Sequence, residues 1–158
     1  MAATASLALV GCSSSKFKFY NGPEVTSVVV NKGARSMYLL HHDEILEQYK
    51  VDLGFAPTGD KKVKGDGKTP EGTYYIDRRN PNSQFHLSLG ISYPNARDIA
   101  EARALGQPAG GDIFIHGQPN KFKAKGKDWT AGCIAVKNRE IEQIYAMVKV
   151  GTAISLRA

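Results

Sequence analysis

The chain has 158 residues, 42% of them hydrophobic, and a formal charge of +6 at pH 7, with an isoelectric point near 9.3. That length and apolar content suit one domain with a sizeable core and leave little room for a second. No apolar run reaches the roughly 20 residues that a membrane-spanning helix needs. The basic balance points to an anionic partner. Nucleic acid is not favoured, because the chain carries no helix-turn-helix, no zinc knuckle and no aromatic strand pair of an RNA-binding sheet.

In chain order, the first feature is Leu7-Ala8-Leu9-Val10-Gly11-Cys12. It resembles the lipobox of bacterial lipoprotein signal peptides, in which the cysteine becomes the lipidated first residue of the mature protein. Residues 1–12 are therefore expected to be a signal segment ending in a lipidated Cys12, with 13–24 a tether opened by Ser13-Ser14-Ser15. Residues 25–158 form the expected folded domain. The resemblance implies an exported, periplasmic protein held to the outer or inner membrane by a lipid anchor; Ser13, being no aspartate, fits the outer membrane.

Strand signals dominate the first half. Runs 25–30, 37–40, 45–53 and 73–76 are rich in β-branched and aromatic residues, and are separated by Asn31-Lys32-Gly33, by His41-His42-Asp43-Glu44 and by the Gly/Lys-rich stretch 54–72. In Gln84-Phe85-His86-Leu87-Ser88-Leu89 the alternation sets His86 opposite three large apolar residues, on a surface or cleft-lining strand. Helices are expected over 96–105, capped by Asn95 and stopped by Gly106, and over 139–148, capped by Asn138. The second helix carries Ile141, Ile144, Tyr145 and Val148 at i, i+3, i+4, i+7, a core-facing stripe. Strands 112–116, 133–136 and 152–156 complete a pattern of antiparallel sheet, mainly β with α (α+β), without repeating βαβ units.

Two residues carry chemistry. Cys133 lies in Trp129-Thr130-Ala131-Gly132-Cys133-Ile134-Ala135-Val136, and His116-Gly117 lies 17 positions upstream of it. A thiol of pKa about 8.5 is only slightly ionised at neutral pH, so nucleophilic work needs a base, and histidine is the usual one. The spacing allows a strand ending at His116 and another beginning at Cys133, so that both side chains meet at one sheet end. Gly132 removes a side chain where a scissile carbonyl must approach, and leaves its N–H and that of Cys133 free to face a developing oxyanion. A bond between Cys12 and Cys133 would consume the nucleophile, so no disulfide is expected. No histidine is spaced with Cys, Asp or Glu as a metal site requires, and neither metal nor cofactor is expected.

These residues resemble the L,D-transpeptidase catalytic domain, or YkuD, family, whose hallmark is His-Gly followed by Ser/Thr-x-Gly-Cys-Ile/Val. Lys68-Thr69-Pro70-Glu71-Gly72-Thr73-Tyr74 matches that family's Thr-Pro-x-Gly-x-Tyr/Phe turn and strand, and Ser92-Tyr93-Pro94-Asn95 its segment before the histidine. Many members carry His between the Ser and the Gly and Arg two places after the Cys, where this chain has Ala131 and Ala135. That variant, with Asp128-Trp129-Thr130 in front, resembles the YafK-like murein branch. The resemblance implies a YkuD-like β-sandwich or mixed sheet with two short helices. It implies Cys133 as nucleophile, His116 as base, the Gly117 carbonyl as orienter of the ring, and Gly132, Thr130, Trp129 and His86 around the oxyanion and substrate.

The implied reaction is acyl transfer from a peptidoglycan stem peptide through a thioester on Cys133, to an amine of another stem or of an acceptor protein. Transfer to water, by an amidase of the same fold, is the first alternative, and a non-catalytic wall-binding module the second. A sortase would need a much longer His–Cys separation and a downstream arginine. Lys121, Lys123, Lys125 and Lys127, inside the loop joining His116 to Cys133, are expected to reach the carboxylates of the stem or to act as solvated charges.

Overall fold

The computed structural model describes residues 15–158. Cys12 and the rest of the expected signal segment lie outside the described residues.

The element order is β1 (Ser27–Asn31), β2 (Ser36–His41), β3 (Glu44–Lys50), β4 (Gly72–Asn80), β5 (Ser88–Ile91), α1 (Ala96–Ala104), β6 (Phe114–His116), β7 (Ile134–Ala135), α2 (Asn138–Met147) and β8 (Ala153–Arg157). One sheet of eight strands runs β3-β2-β1-β8-β4-β5-β6-β7. In β1, Val28 and Val30 point inward and are fully buried, and Met37 and Leu39 of β2 pack beside them. Tyr74, Ile76, Leu89, Ile91, Ile115, Ile134 and Ile154 continue the same core. Each such side chain withdrawn from water contributes about 1.5–3 kcal/mol before conformational entropy is counted.

The sheet is mixed. β1 pairs parallel with β8, and β6 pairs parallel with β7, where the strand pattern alone suggests antiparallel neighbours throughout. The expected strand 45–53 is one extended run that changes partner. Its first part is β3, and beyond it Asp52 bridges Ala135 while Gly54 bridges Thr130. The chain leaving one edge strand thereby meets the opposite edge, and the sheet curls round on itself. Curling leaves the β6/β7 end sheltered by residues 51–55.

Both helices form where expected, within a residue or two. Asn95 caps α1, accepting from the Asp98 amide at 3.1 Å, while Asp98 accepts from the Asn95 amide at 2.9 Å. The α2 cap is Lys137 and not Asn138. The Asn138 carboxamide is engaged elsewhere, accepting from the Gln118 amide at 2.7 Å. The stripe of Ile141, Ile144, Tyr145 and Val148 is buried, and α2 lies against β5 and β6, the strands that lead to the histidine.

His86 requires a correction. It lies in no strand, because β5 starts at Ser88, and its φ is +72°. The alternation of Phe85, Leu87 and Leu89 is broken by that left-handed residue. Its ring turns to α2, with Nε2 2.8 Å from Glu142 Oε1.

Candidate active site

β6 and β7 set the geometry. Their register pairs Ile115 with Ile134 and His116 with Ala135. Side chains alternate along a strand, so Cys133, two places before Ala135, projects from the same face as His116 and one diagonal step away. Because the strands run parallel, the connection 117–133 must return along their length instead of turning at one sheet end. The two residues still become neighbours, because β6 has three residues and β7 only two.

The imidazole of His116 is held from every side. Nδ1 lies 2.7 Å from the Gly117 carbonyl. A carbonyl only accepts, so Nδ1 carries the hydrogen and Nε2 presents its lone pair. The ring stacks at 4.4 Å from Phe85 and meets Trp129 edge-on at 5.7 Å, centroid to centroid. Burial pushes the His116 pKa below its ordinary value, partly offset by the Gly117 hydrogen bond. Gly117 itself cannot be larger. A Cβ there would stand 2.6 Å from Asn138 Oδ1 and 2.9 Å from the Phe85 carbonyl.

Cys133 is half-buried. Its Sγ lies 3.4 Å from the Phe114 amide, which points a hydrogen at it, and 3.4 Å from the Asp112 carbonyl, to which the thiol donates. Burial is the main cause that raises its pKa, helped by the Asp112 charge; the Phe114 amide, Lys61 and Arg78 act in the opposite direction. The resting site is therefore a neutral thiol beside a neutral imidazole. A cavity of about 350 Å3 is shared by Cys133, His116, Phe85, Ser88 and Phe114. A second, of about 610 Å3, reaches Cys133 from the side of Lys61 and Gly111.

The turn before the cysteine is tied by Thr130. Its Oγ1 donates to the Cys133 carbonyl at 2.7 Å and accepts from the Gly132 amide at 3.1 Å. The Gly132 N–H is thus engaged and not free as expected, whereas the Cys133 N–H has no partner among the described residues. Gly132 has φ +140°, and a Cβ on it would lie 2.7 Å from the Lys68 carbonyl. Only glycine fits that turn.

A thiol, a tautomer-fixed imidazole and a glycine elbow thus meet in one mixed sheet, and comparison with known proteins gives the family of the domain that holds them. Residues 26–156 match the model of the YkuD L,D-transpeptidase catalytic domain. The chain belongs to that family. YafK of Escherichia coli K12, whose name assigns it to the L,D-transpeptidases, is 32% identical over 107 residues, which are 66% of this chain and 38% of YafK. The helical cell shape determining protein Pgp2 of Campylobacter jejuni, in its K307A form, superposes with a TM-score of 0.65 at 28% identity, covering 87% of this chain and 48% of Pgp2. An L,D-transpeptidase of Mycobacterium smegmatis shares the fold at 16% identity and a TM-score of 0.57, over 85% of this chain and 59% of that one. The chain thus spans well under two thirds of the length of YafK and Pgp2.

Within this L,D-transpeptidase domain, Trp129 and Thr130 stand at the site, against His116 and Cys133. His86 stands apart from it, on Glu142. Lys121 and Lys123 line a separate depression of about 550 Å3, and the cations that act on the thiol are Lys61 and Arg78. The sequence offers little to distinguish these two from the other 19 Lys and Arg of the 21 in the chain. Asp128 matters more than its place in the motif suggests. It takes Arg35 Nε at 2.9 Å and Nη2 at 2.8 Å, and the Leu53 amide at 3.0 Å. Among the described residues no group of three or more His, Cys, Asp or Glu could hold a metal ion.

Proposed function

We propose that this domain is a cysteine-dependent L,D-transpeptidase acting on peptidoglycan stem peptides. The observation that carries the reading is the shared cavity of Cys133 and His116, with the imidazole fixed by Gly117 so that Nε2 is its basic nitrogen. Sγ attacks the carbonyl carbon of the amide preceding the terminal D-residue as its proton passes to Nε2. The C–N bond then breaks, the same proton goes to the leaving amine, and an acyl thioester remains on Cys133. The Cys133 N–H, which has no partner among the described residues, donates to the oxyanion. An amine of another stem or of an acceptor protein attacks the thioester, gives its proton to Nε2, and restores the thiol.

Water in place of the amine would make the domain a hydrolase that releases protein or peptide from murein. The YafK-like sequence supports L,D-transpeptidation, and the likeness to Pgp2, a helical cell shape determining protein, supports a role in shaping the wall. Substrate in the wall supports export to the periplasm, and Cys12 in its lipobox supports a lipid anchor there.

Incubating the protein with a tetrapeptide stem, alone and with an amine acceptor, and resolving products by mass spectrometry tests the reading. The expected result is a Cys133 adduct and an amide-exchanged product, both lost in Cys133→Ala with the melting temperature little changed. Full turnover by Cys133→Ala would end the cysteine mechanism. Tripeptide as the sole product, even with acceptor present, would make the domain a hydrolase. A folded protein whose Cys133 resists iodoacetamide and forms no adduct would be a wall-binding module.

A further inference from the structure

The loop between β3 and β4 carries a buried charge beside the thiol. Lys61 is 4% exposed. Of its three ammonium hydrogens, one goes to the Val63 carbonyl at 3.0 Å and one to Asp66 Oδ1 at 2.8 Å; the third has no partner among the described residues. Asp66 does not belong to Lys61 alone. It also accepts from the amides of Lys62 at 2.8 Å, Val63 at 3.1 Å and Lys68 at 3.1 Å, and these partners hold its pKa near 2 against burial. The same loop is pinned from below by Lys32, whose Nζ meets Gly59 O at 2.6 Å, Thr69 O at 2.8 Å and Glu71 Oε1 at 2.9 Å. The Lys61 ammonium is therefore desolvated and fixed before any ligand arrives, with one donor unspent.

Lys61 lines the cavity of about 610 Å3 that reaches Cys133. Lys64 stands at its exposed rim, and Gly110 and Gly111 leave the facing wall bare of side chains. The two cavities meet at Asp112 and Cys133, and only the smaller one holds His116. The imidazole must hand its proton to the leaving amine, so the leaving half of the substrate occupies the His116 side. The half that stays on sulfur then lies on the Lys61 side.

We propose that the Lys61 cavity is the acyl subsite, and that it selects donors whose retained residue bears a free carboxylate, which Lys61 binds with Lys64 at the rim. The inference rests on the acyl-transfer reading above. A carboxylate gives the unspent Lys61 donor a bond between opposite charges, whereas a carboxamide carbonyl accepts the same hydrogen without that attraction and binds more weakly.

The test compares kcat/KM for two synthetic stems that differ only in that group, carboxylate or carboxamide. Wild type should prefer the carboxylate by about 10-fold or more. Lys61→Met acts on the thiol for both donors, and should bring the ratio toward one by slowing the carboxylate donor more than the carboxamide. Gly111→Asp offers a second variant independent of the Lys61–Asp66 pair. A Cβ at Gly111 meets nothing closer than Pro94 Cδ at 3.9 Å, and an added anion there should lower or invert the preference whatever it does to the thiol. A wild-type ratio near one overturns the subsite while leaving transpeptidation intact, as does a ratio unmoved in both variants. Turnover of neither donor overturns the acyl-transfer reading, and the subsite with it.

Discussion

At the scale of single residues the pair of pKa directions decides how the site starts its reaction. Burial raises Cys133 and lowers His116. Both shifts favour the uncharged partners over a thiolate–imidazolium pair. The thiol proton must then move as the carbonyl is attacked, and the imidazole has to be neutral for that. His116 stays neutral to below its ordinary value of 6.5, so the acid limb of kcat/KM should lie below that pH. Iodoacetamide alkylation of Cys133, followed by intact mass, should still be accelerating at pH 9, since the thiol lies above its ordinary value. His116→Ala should lower turnover by about 10²- to 10⁴-fold, the usual worth of general acid–base catalysis, while leaving alkylation at high pH possible. An alkylation rate that levels off near neutrality would mean a preformed ion pair, and would overturn this account.

At the scale of elements, both helices were legible because their signals are local. Asn95 and Asp98 form the box that starts α1, and α2 repeats apolar residues at helical spacing. Cys133 and His116 stand out in the sequence for a local reason too, each beside a glycine, and the structure leaves neither Gly132 nor Gly117 room for a side chain. The parallel pairing of β6 with β7 was not, since strands of three and two residues contain no pattern that fixes direction. Nor was the turn at His86, where a left-handed residue interrupts an alternation that reads as strand. Lys61 escaped notice because its burial depends on a loop fold that Asp66 and Lys32 impose together.

Asp128 shows how non-local contacts hold the catalytic loop. Arg35 follows β1 and Leu53 follows β3; Asp128, the residue before Trp129, accepts from both and donates its own amide to Asp52 Oδ1 at 3.1 Å. The Arg35 and Asp128 side chains are 32% and 17% exposed, so the pair is screened in part and its loss costs less than that of a fully buried one. Asp128→Ala leaves the Leu53 amide and Arg35 without their acceptor, and should destabilise by about 1–3 kcal/mol, lowering the melting temperature by several degrees. Turnover should fall as well, because Trp129 and Thr130 lose their anchor. The Arg35 bond holds the Asp128 pKa below its ordinary value against burial. Its contribution is therefore full above the ordinary carboxylate range and is lost as pH falls through the lowered one. A variant as stable and active as wild type at pH 7 would make the contact incidental.

At the scale of the molecule, the expected tether touches the domain over 16–18, while Phe19 just beyond is 89% exposed. Lys16 Nζ donates to the Pro81 carbonyl at 2.7 Å, Phe17 tilts against Tyr145 at 6.3 Å between ring centroids, and Lys18 pairs with Glu142 at 3.3 Å. Between Cys12 and Ser15 only three residue steps remain, about 10 Å of fully extended chain. If Cys12 carries the acyl chains, the docked segment therefore keeps the domain close to the bilayer, with the α2 face bearing Glu142 and Tyr145 beside the membrane-side end of the chain. Stable attachment needs more than one acyl chain, as lipoprotein processing supplies. Expressed behind a complete signal peptide and fractionated, the protein should sediment with membranes, and Cys12→Ser should move it to the soluble periplasmic fraction. Its kcat/KM on a small soluble stem should not change, because such a stem reaches Cys133 from solution whether or not the domain is anchored. Finding Cys12→Ser equally membrane-bound would rule out the lipid anchor and leave the docked segment as a structural strap alone.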